Sequence, residues 1–338
     1  MVDLTTTWLG LTLQSPLVVA ASPLSDDVEA IATAVAAGAG AVVMHSLFEE
    51  QLIEEQMGAH RFLDARTDLD AEARTFLPDV DVFSLGAEPY LAQMERLRQR
   101  VDVPIIASLN GTTPGGWTDY ARQLEDHGAS AIELNLYEIA TSAALTGAEI
   151  EDAQLAVVAS VATLVKLPVT VKLSPFYTSL PEFVRRLGSA GAQGITVFNR
   201  YYQPDVDLDA LDVDRHLVLS NSSELPLRLH ALAILSPATT LSLACSGGVR
   251  SGRDAAKAVV CGAHVVQLAS ALLAHGPAYV ETISRELTQW LEEKGYVTCA
   301  EARGVLALNA APNPHAWERL NYVRMLEGWK PRTPRKEM

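Results

Sequence analysis

The stretch Leu241–Ala271, LSLACSGGVRSGRDAAKAVVCGAHVVQLASA, decides the fold. It reads as an apolar strand, a Ser246-Gly247-Gly248 turn, a helix opening near Ser251 and a second apolar strand ending at Ala269-Ser270. Two successive strand ends with small residues and free backbone amides make a cradle for a phosphate. Glycine lets the backbone approach the anion, and a helix N-terminus aims N–H groups at it. In a (β/α)8 barrel such a cradle lies in the loops after strands 7 and 8, on the catalytic face. A Gly-Gly turn between strand and helix also occurs in other α/β proteins, so the rest of the chain must place it.

Outward from this unit, strand-length apolar runs alternate with helical patterns. The strands are predicted at Leu17–Ala21, Ala41–Ser46, Pro104–Leu109, Ala131–Leu136, Val169–Ser174, Gly194–Asn199, Leu241–Ser246 and His264–Leu268. Each is near-continuously apolar, as parallel strands covered on both faces must be. Helices are predicted at Asp26–Ala37, Glu88–Arg100, Trp117–His127, Glu149–Lys166, Leu180–Ala190, Pro226–Leu235 and Ser251–Val260. Eight strands alternating with helices predict a (β/α)8 TIM barrel, with an open doubly wound sheet as the alternative. Ala37-Gly38-Ala39, His127-Gly128-Ala129, Ala190-Gly191-Ala192 and Cys261-Gly262-Ala263 each place a glycine where a helix must stop before a strand.

Three parts fall outside the repeat. Residues 2–14 predict an N-terminal β-hairpin closing the bottom of the barrel. Residues 49–87, with Phe62, Phe76 and Phe83, form an insertion after strand 2, and the Asp-rich residues 200–224 form another after strand 6. Both leave the catalytic face and are expected to shape a pocket or lid. One domain is expected over 1–338, with its core at about 15–295 and a C-terminal extension, 296–338, whose Trp317, Tyr322 and Trp329 are expected to pack.

Of the 338 residues 49% are hydrophobic and 20% charged, enough to bury a large core. The net charge of −15 argues against nucleic acid as a partner. Only Lys330-Pro331-Arg332 and Arg335-Lys336 are locally basic, which reads as a solvated tail. Cys245, Cys261 and Cys299 form no CxxC pair, which fits a reducing compartment and excludes an iron–sulfur cluster built by this chain alone. No metal site is expected. Met1-Val2-Asp3 does not open a signal peptide, and no apolar run reaches the roughly 20 residues of a membrane span. A soluble cytoplasmic protein is expected, with no membrane partner.

Side chains at the C-terminal ends of barrel strands converge on one volume. There the sequence offers Ala20, Ala21 and Ser22, then His45 and Ser46, Asn110, Asn135, Lys172 and Asn199, followed by the phosphate cradle. Asparagines and one lysine, with little acid, describe a site for a planar polar ligand with carbonyl oxygens and ring N–H groups. Lys172, in the apolar strand VTVKL, is costly to bury unpaired, which favours a functional role. Asn135 also fits a turn-forming cap, Asn199 a structural turn, His45 a satisfied rim histidine, and Asn110-Gly111 a plain turn.

Taken in order, SPLVVAAS, AVVMHS, ELNL, VKLSP, TVFN, CSGGVRSGRDA and VVQLASAL resemble the dihydroorotate dehydrogenase family of FMN-containing barrels, over about residues 3 to 295. The chain looks most similar to the soluble class-1 enzymes. FEEQ after strand 2 and the run NRYYQPD resemble the divergent dihydroorotate dehydrogenase-like subgroup. The resemblance implies FMN as cofactor. Ala20, Ala21 and Ser22 would line it, Asn135 and Lys172 would contact its ring, and Asn199 would lie on the ligand side, with Ser46 and Asn110 as further cofactor-binding candidates. Ser246, Gly247, Gly248, Ala269 and Ser270 would hold its phosphate. It implies hydride transfer between a small organic substrate and flavin N5, and a homodimer. Where the family carries a Cys or Ser base after strand 4, this chain reads Asn135-Leu136-Tyr137-Glu138-Ile139-Ala140; where the family has a lysine after strand 2, it has His45. The family's asparagine-rich substrate loop is unmatched in 66–90.

Three readings follow. The first is an FMN-dependent oxidoreductase acting on a substrate other than dihydroorotate, with Lys172, Glu138, Tyr137 and His45 as catalytic candidates and Tyr201 or Tyr202 beside them. The second is a flavin-free barrel for a phosphorylated metabolite, a lyase or isomerase with Lys172 as imine-forming amine. The third is a non-catalytic flavin-binding subunit working with an electron-transfer partner.

Overall fold

Eight strands that are apolar on both faces need cover on both, and a closed barrel with helices outside provides it. The computed structural model describes residues 2–48, 87–111, 118–200, 205–214, 218–311 and 313–328. Most of the insertion 49–87, with Phe62, Phe76 and Phe83, lies outside the described residues, as do Trp117, Tyr201, Tyr202, Trp329 and the side chain of Trp317.

The chain opens with β1 (Thr6–Trp8) and β2 (Leu11–Leu13), an antiparallel hairpin. The barrel strands are β3 (Leu17–Val19), β4 (Ala41–Phe48), β5 (Ile105–Asn110), β6 (Ala131–Asn135), β7 (Val169–Leu173) and β8 (Gly194–Val197). After β8 comes a small hairpin, β9 (Asp205–Asp207) and β10 (Asp212–Asp214), before β11 (Ser242–Ser246) and β12 (Val265–Leu268) complete the ring. The closed order is β11-β12-β3-β4-β5-β6-β7-β8, with β11 hydrogen-bonded to β8. Every predicted strand is present.

The four glycine turns end their helices in the same way. In Ala37-Gly38-Ala39, Gly38 has φ +104°, and Ala39 N–H reaches back to the Ala34 carbonyl at 3.0 Å. That left-handed residue and six-residue loop closure make the Schellman stop, which an L side chain adopts only with strain. Helix starts are set by side chains: Asp27 caps Val28–Ala36, Ser251 caps Gly252–Val260, and Thr146 with Glu149 forms a capping box at Gly147–Leu164. A later helix, Tyr279–Glu293, packs against Gly252–Val260 and buries Val280, Ile283, Leu287 and Leu291.

The hairpin β1–β2 plugs the barrel. Trp8, Leu9 and Leu13 pack with the inward residues Val18, Ala41, Val43, Ile106, Ala131, Ala244 and Val265, in a cluster separate from the core between strands and helices. Leu9 N–H donates to Ser242 Oγ at 3.1 Å, and Thr6 Oγ1 to the His264 carbonyl at 3.0 Å. Residues of the C-terminal extension also pack, with Cys299 and Ala302 buried. Its last helix, Pro314–Glu327, is exposed at Tyr322, Val323, Met325 and Leu326, so the expected packing of Tyr322 is not found.

His264 lies at the seam between plug and barrel and accepts a bond from Leu243 N–H on Nδ1 at 3.0 Å. Burial, helped by the charge of Arg303, pushes its pKa down to about 4. The folded protein therefore holds it neutral where the unfolded chain takes a proton, at a pKa of about 6.5. Stability should fall as the pH drops from about 6.5 to about 4, by up to about 3 kcal/mol. Thermal unfolding of His264→Asn across this window should give a flatter profile than the parent; an equally steep one refutes the assignment.

Candidate active site

Alternation along the strands sorts the barrel interior into layers. Ala131, Glu133 and Asn135 share one side of β6, as do Thr170 and Lys172 on β7 and Val265 and Gln267 on β12. The bottom layer is the apolar plug. The middle layer is polar. The top layer opens into a cavity at the C-terminal strand ends.

Glu133 is the centre of the middle layer and is fully buried. Its Oε2 accepts from Gln267 Nε2 at 2.6 Å and Thr196 Oγ1 at 3.1 Å, and its Oε1 lies 3.4 Å from Lys172 Nζ. An isolated carboxylate in such a place is very costly. The register explains the meeting: β6 lies beside β7 and β7 beside β8, with Asn135 opposite Lys172 and Lys172 opposite Thr196. The expectation of a site with little acid is thus corrected, and Lys172 is buried but paired.

The cavity encloses about 780 Å³ when the solvent in its open mouth is counted. Ala20, Ala21, Ser22, Lys172 and Asn199 line one part of it. Ser246, Gly247, Gly248, Ala269 and Ser270 line the other, as the sequence places them. Leu219, Ser220 and Arg200, from the described ends of the second insertion, also line it, which accords with the pocket-shaping role expected of 200–224.

The remaining candidates sit elsewhere. Asn135 is buried and accepts from Asn199 Nδ2 at 2.9 Å, so it reaches the cavity through that neighbour. Ser46 bonds the Ser108 hydroxyl at 2.8 Å, and Asn110 ends β5 in register with Asn135. Tyr137 and Glu138 are half-buried on the loop after β6, and neither lines the cavity among the described residues. The negative charge of Glu138 contributes to raising the Tyr177 hydroxyl pKa, an effect led by burial. His45 lies within a register shift in β4 between Val43 and Ser46. Such irregularities re-aim a side chain. Its Nδ1 lies 2.6 Å from Asp26 Oδ1 and 3.4 Å from Ser25 Oγ, and its ring meets Tyr90 edge-on.

Beneath the Ser246-Gly247-Gly248 turn stands a residue not among the sequence-predicted candidates. Arg228, buried on the helix Leu225–Leu235, donates from Nε to the Ser246 carbonyl at 2.9 Å and from Nη1 to the Glu224 carbonyl at 2.8 Å. Ser220 Oγ accepts from Gly248 N–H at 3.2 Å and donates to Ser270 Oγ at 2.9 Å, tying the two strand-end turns together. Arg250 donates to the Ser220 and Ser270 carbonyls. Gly248 has φ +79°, and a Cβ there would lie 2.7 Å from Leu225 N. Backbone and packing demand glycine here with or without a ligand, so substituting Gly248 does not isolate phosphate binding. Cys245, just before the turn, has its thiol pKa pushed up to about 12 by burial, which keeps it an unreactive core residue.

Glu133, Gln267 and Arg228 were each legible as polar residues interrupting apolar runs, the signal that singled out Lys172. Ser220 had no such signal.

A family model described as dihydroorotate dehydrogenase matches residues 3–291. A protein of Aeropyrum pernix with the provisional name dihydroorotate dehydrogenase A (fumarate) is 29% identical over 206 residues, covering 59% of this chain and 66% of that protein. The dihydroorotate dehydrogenase B (NAD(+)) catalytic subunit of Pyrococcus abyssi is 25% identical over 306 residues, 88% of this chain and 96% of that protein. Its counterpart from Methanosarcina mazei is 26% identical over 306 residues, 88% of this chain and 94% of that protein.

Removing one member of the buried pair should expose its value. Glu133→Ala leaves Lys172 without its carboxylate and is expected to cost about 3–5 kcal/mol in denaturant unfolding. Adding Lys172→Met should recover most of that loss; a double variant as unstable as the sum of the two singles would show the pair uncoupled.

Proposed function

The chain belongs to the dihydroorotate dehydrogenase family, and from that premise we propose that it is an FMN-dependent oxidoreductase acting on a CH–CH bond of a small organic substrate other than dihydroorotate. One observation carries the cofactor: a single cavity joins Lys172 and Asn199 to the turns Ser246-Gly247-Gly248 and Ala269-Ser270. The residues fit FMN. Ser22 Oγ and Gln267 Oε1, on two side chains lining this cavity, are buried without a hydrogen-bond partner among the described residues. A heterocycle with N–H and C=O groups supplies what each lacks. Gly247 and Gly248, with positive φ, form a tight turn that lines the end of the cavity assigned to the phosphate.

When bound, FMN supplies a two-electron acceptor. Lys172 brings positive charge to the cavity floor, where negative charge on a reduced ring is stabilised. Asn199, held by Asn135, orients a ring edge. Ala20 and Ala21 give a flat wall, Ser46 and Asn110 hold the adjoining strand ends, and the Ser246–Gly248 and Ala269–Ser270 turns bind the phosphate. Arg228 behind Ser246 fixes the first of these turns. Proton transfer falls to the loop after β6, with Glu138 as the base and Tyr137 beside it. His45, engaged by Asp26, orients the rim. A carboxylate base repels an anionic substrate, so the reacting end of the substrate is uncharged or cationic. Lys172 in an ion pair disfavours the lyase reading, which needs a free amine.

Because several relatives are named catalytic subunits, we assign reoxidation to an electron-transfer protein. No helix of the described residues is long and apolar enough to cross a membrane, and cytoplasmic operation belongs to this proposal.

The purified protein is expected to be yellow, or to take up FMN stoichiometrically; failure to bind added FMN sinks the reading. Lys172→Ala should weaken FMN binding or slow its reduction by about tenfold or more. Glu138→Gln should leave flavin content unchanged and lower substrate-driven flavin bleaching by about a hundredfold. Rapid anaerobic bleaching by dihydroorotate would overturn the substrate assignment alone.

A further inference from the structure

The polar layer gives the two ends of the Gln267 amide different fates. Nε2 lies 2.6 Å from Glu133 Oε2 and 3.5 Å from Thr196 Oγ1. A carboxylate held against a lysine accepts and does not donate, so the amide nitrogen is the end that fits there. The carbonyl Oε1 is left over. It is buried, has no partner among the described residues, and belongs to a side chain that is 1% exposed and lines the cavity. Lys172 Nζ lies 3.4 Å from the other oxygen of the same carboxylate and lines the same cavity. One carboxylate thus sets an acceptor and a donor at one floor.

We propose that Gln267 Oε1 and Lys172 Nζ together read an N–H beside a carbonyl, the imide-type edge of a pyrimidine ring, and that Glu133 is the positioning residue that keeps them in that order. This rests on the FMN reading, in which the edge belongs to the pyrimidine ring of the flavin; a free pyrimidine carries the same edge. A buried carbonyl left unpaired is costly, so a ligand that lacks the N–H is rejected by the site itself.

The test compares FMN with 3-methyl-FMN, whose N3 hydrogen is replaced by a methyl group, by fluorescence titration of the apoprotein. Wild-type protein should prefer FMN by about tenfold or more. Gln267→Met keeps the volume and removes the acceptor, so the preference should shrink to about twofold or less. Glu133→Gln, which lets the amide turn over, should give a ratio between the two. Equal affinities in the wild type, or an undiminished preference in a Gln267→Met variant with a normal thermal transition, overturn the proposal. The wild-type comparison stands even if both variants fail to fold. Uracil that binds beside bound FMN, and is lost in Gln267→Met, would move the edge to a free pyrimidine and overturn the flavin assignment. Binding of neither flavin by the wild type overturns the proposed function itself, a separate outcome.

Discussion

A fully buried carboxylate in the middle of a barrel has to be neutralised where it stands, and Glu133 organises the interior around that need. Lys172, Thr196 and Gln267 come from three different strands and meet on its two oxygens. Apolar side chains ordinarily fill this volume in a (β/α)8 barrel. Here a hydrophobic hairpin seals the bottom, so the charged layer faces a dry plug on one side and the cavity on the other. Water is kept from screening the pair from below, which strengthens each electrostatic contact above.

Rigid and adaptable parts are divided accordingly. The floor is built on strands, and the Ser246–Gly248 and Ala269–Ser270 turns are tied by Arg228, Ser220 and Ser270 into one hydrogen-bonded unit. The candidate base, Glu138, sits instead on a loop where Ile139 and Leu145 are exposed. A scaffold that holds a cofactor with strand ends and leaves proton chemistry to a loop can change substrate without rebuilding its core. Of the proposed catalytic residues, Glu138 lies on that loop, whereas His45 lies within β4. The residues lining the cavity lie at the C-terminal ends of the barrel strands or in the turns just beyond them.

Much of the architecture was legible because it is local. Eight apolar runs predicted eight strands, and the four glycine turns predicted helix stops that the hydrogen bonds bear out. The helix Tyr279–Glu293 lay beyond the last predicted helix, which ended at Val260, although Val280, Ile283, Leu287 and Leu291 recur at helical spacing. Glu133 stands inside the motif ELNL, where a lone acid in a strand carries the same kind of desolvation cost as the lone Lys172 in VTVKL. His45, expected at a strand end, lies inside β4 at the register shift between Val43 and Ser46, with Nδ1 2.6 Å from Asp26 Oδ1.

The sequence by itself determined the periodicity: which runs become strands, where helices start and stop, and that small residues cluster after the last two strands. These depend on backbone geometry and nearest neighbours, which a linear pattern records. Only the tertiary structure decided that Glu133 and Gln267, 134 positions apart, share a hydrogen bond, that Lys172 is paired, and that Gln267 keeps one unmet acceptor. Barrel closure and strand register fix those meetings, and register is a property of the whole ring rather than of any one segment.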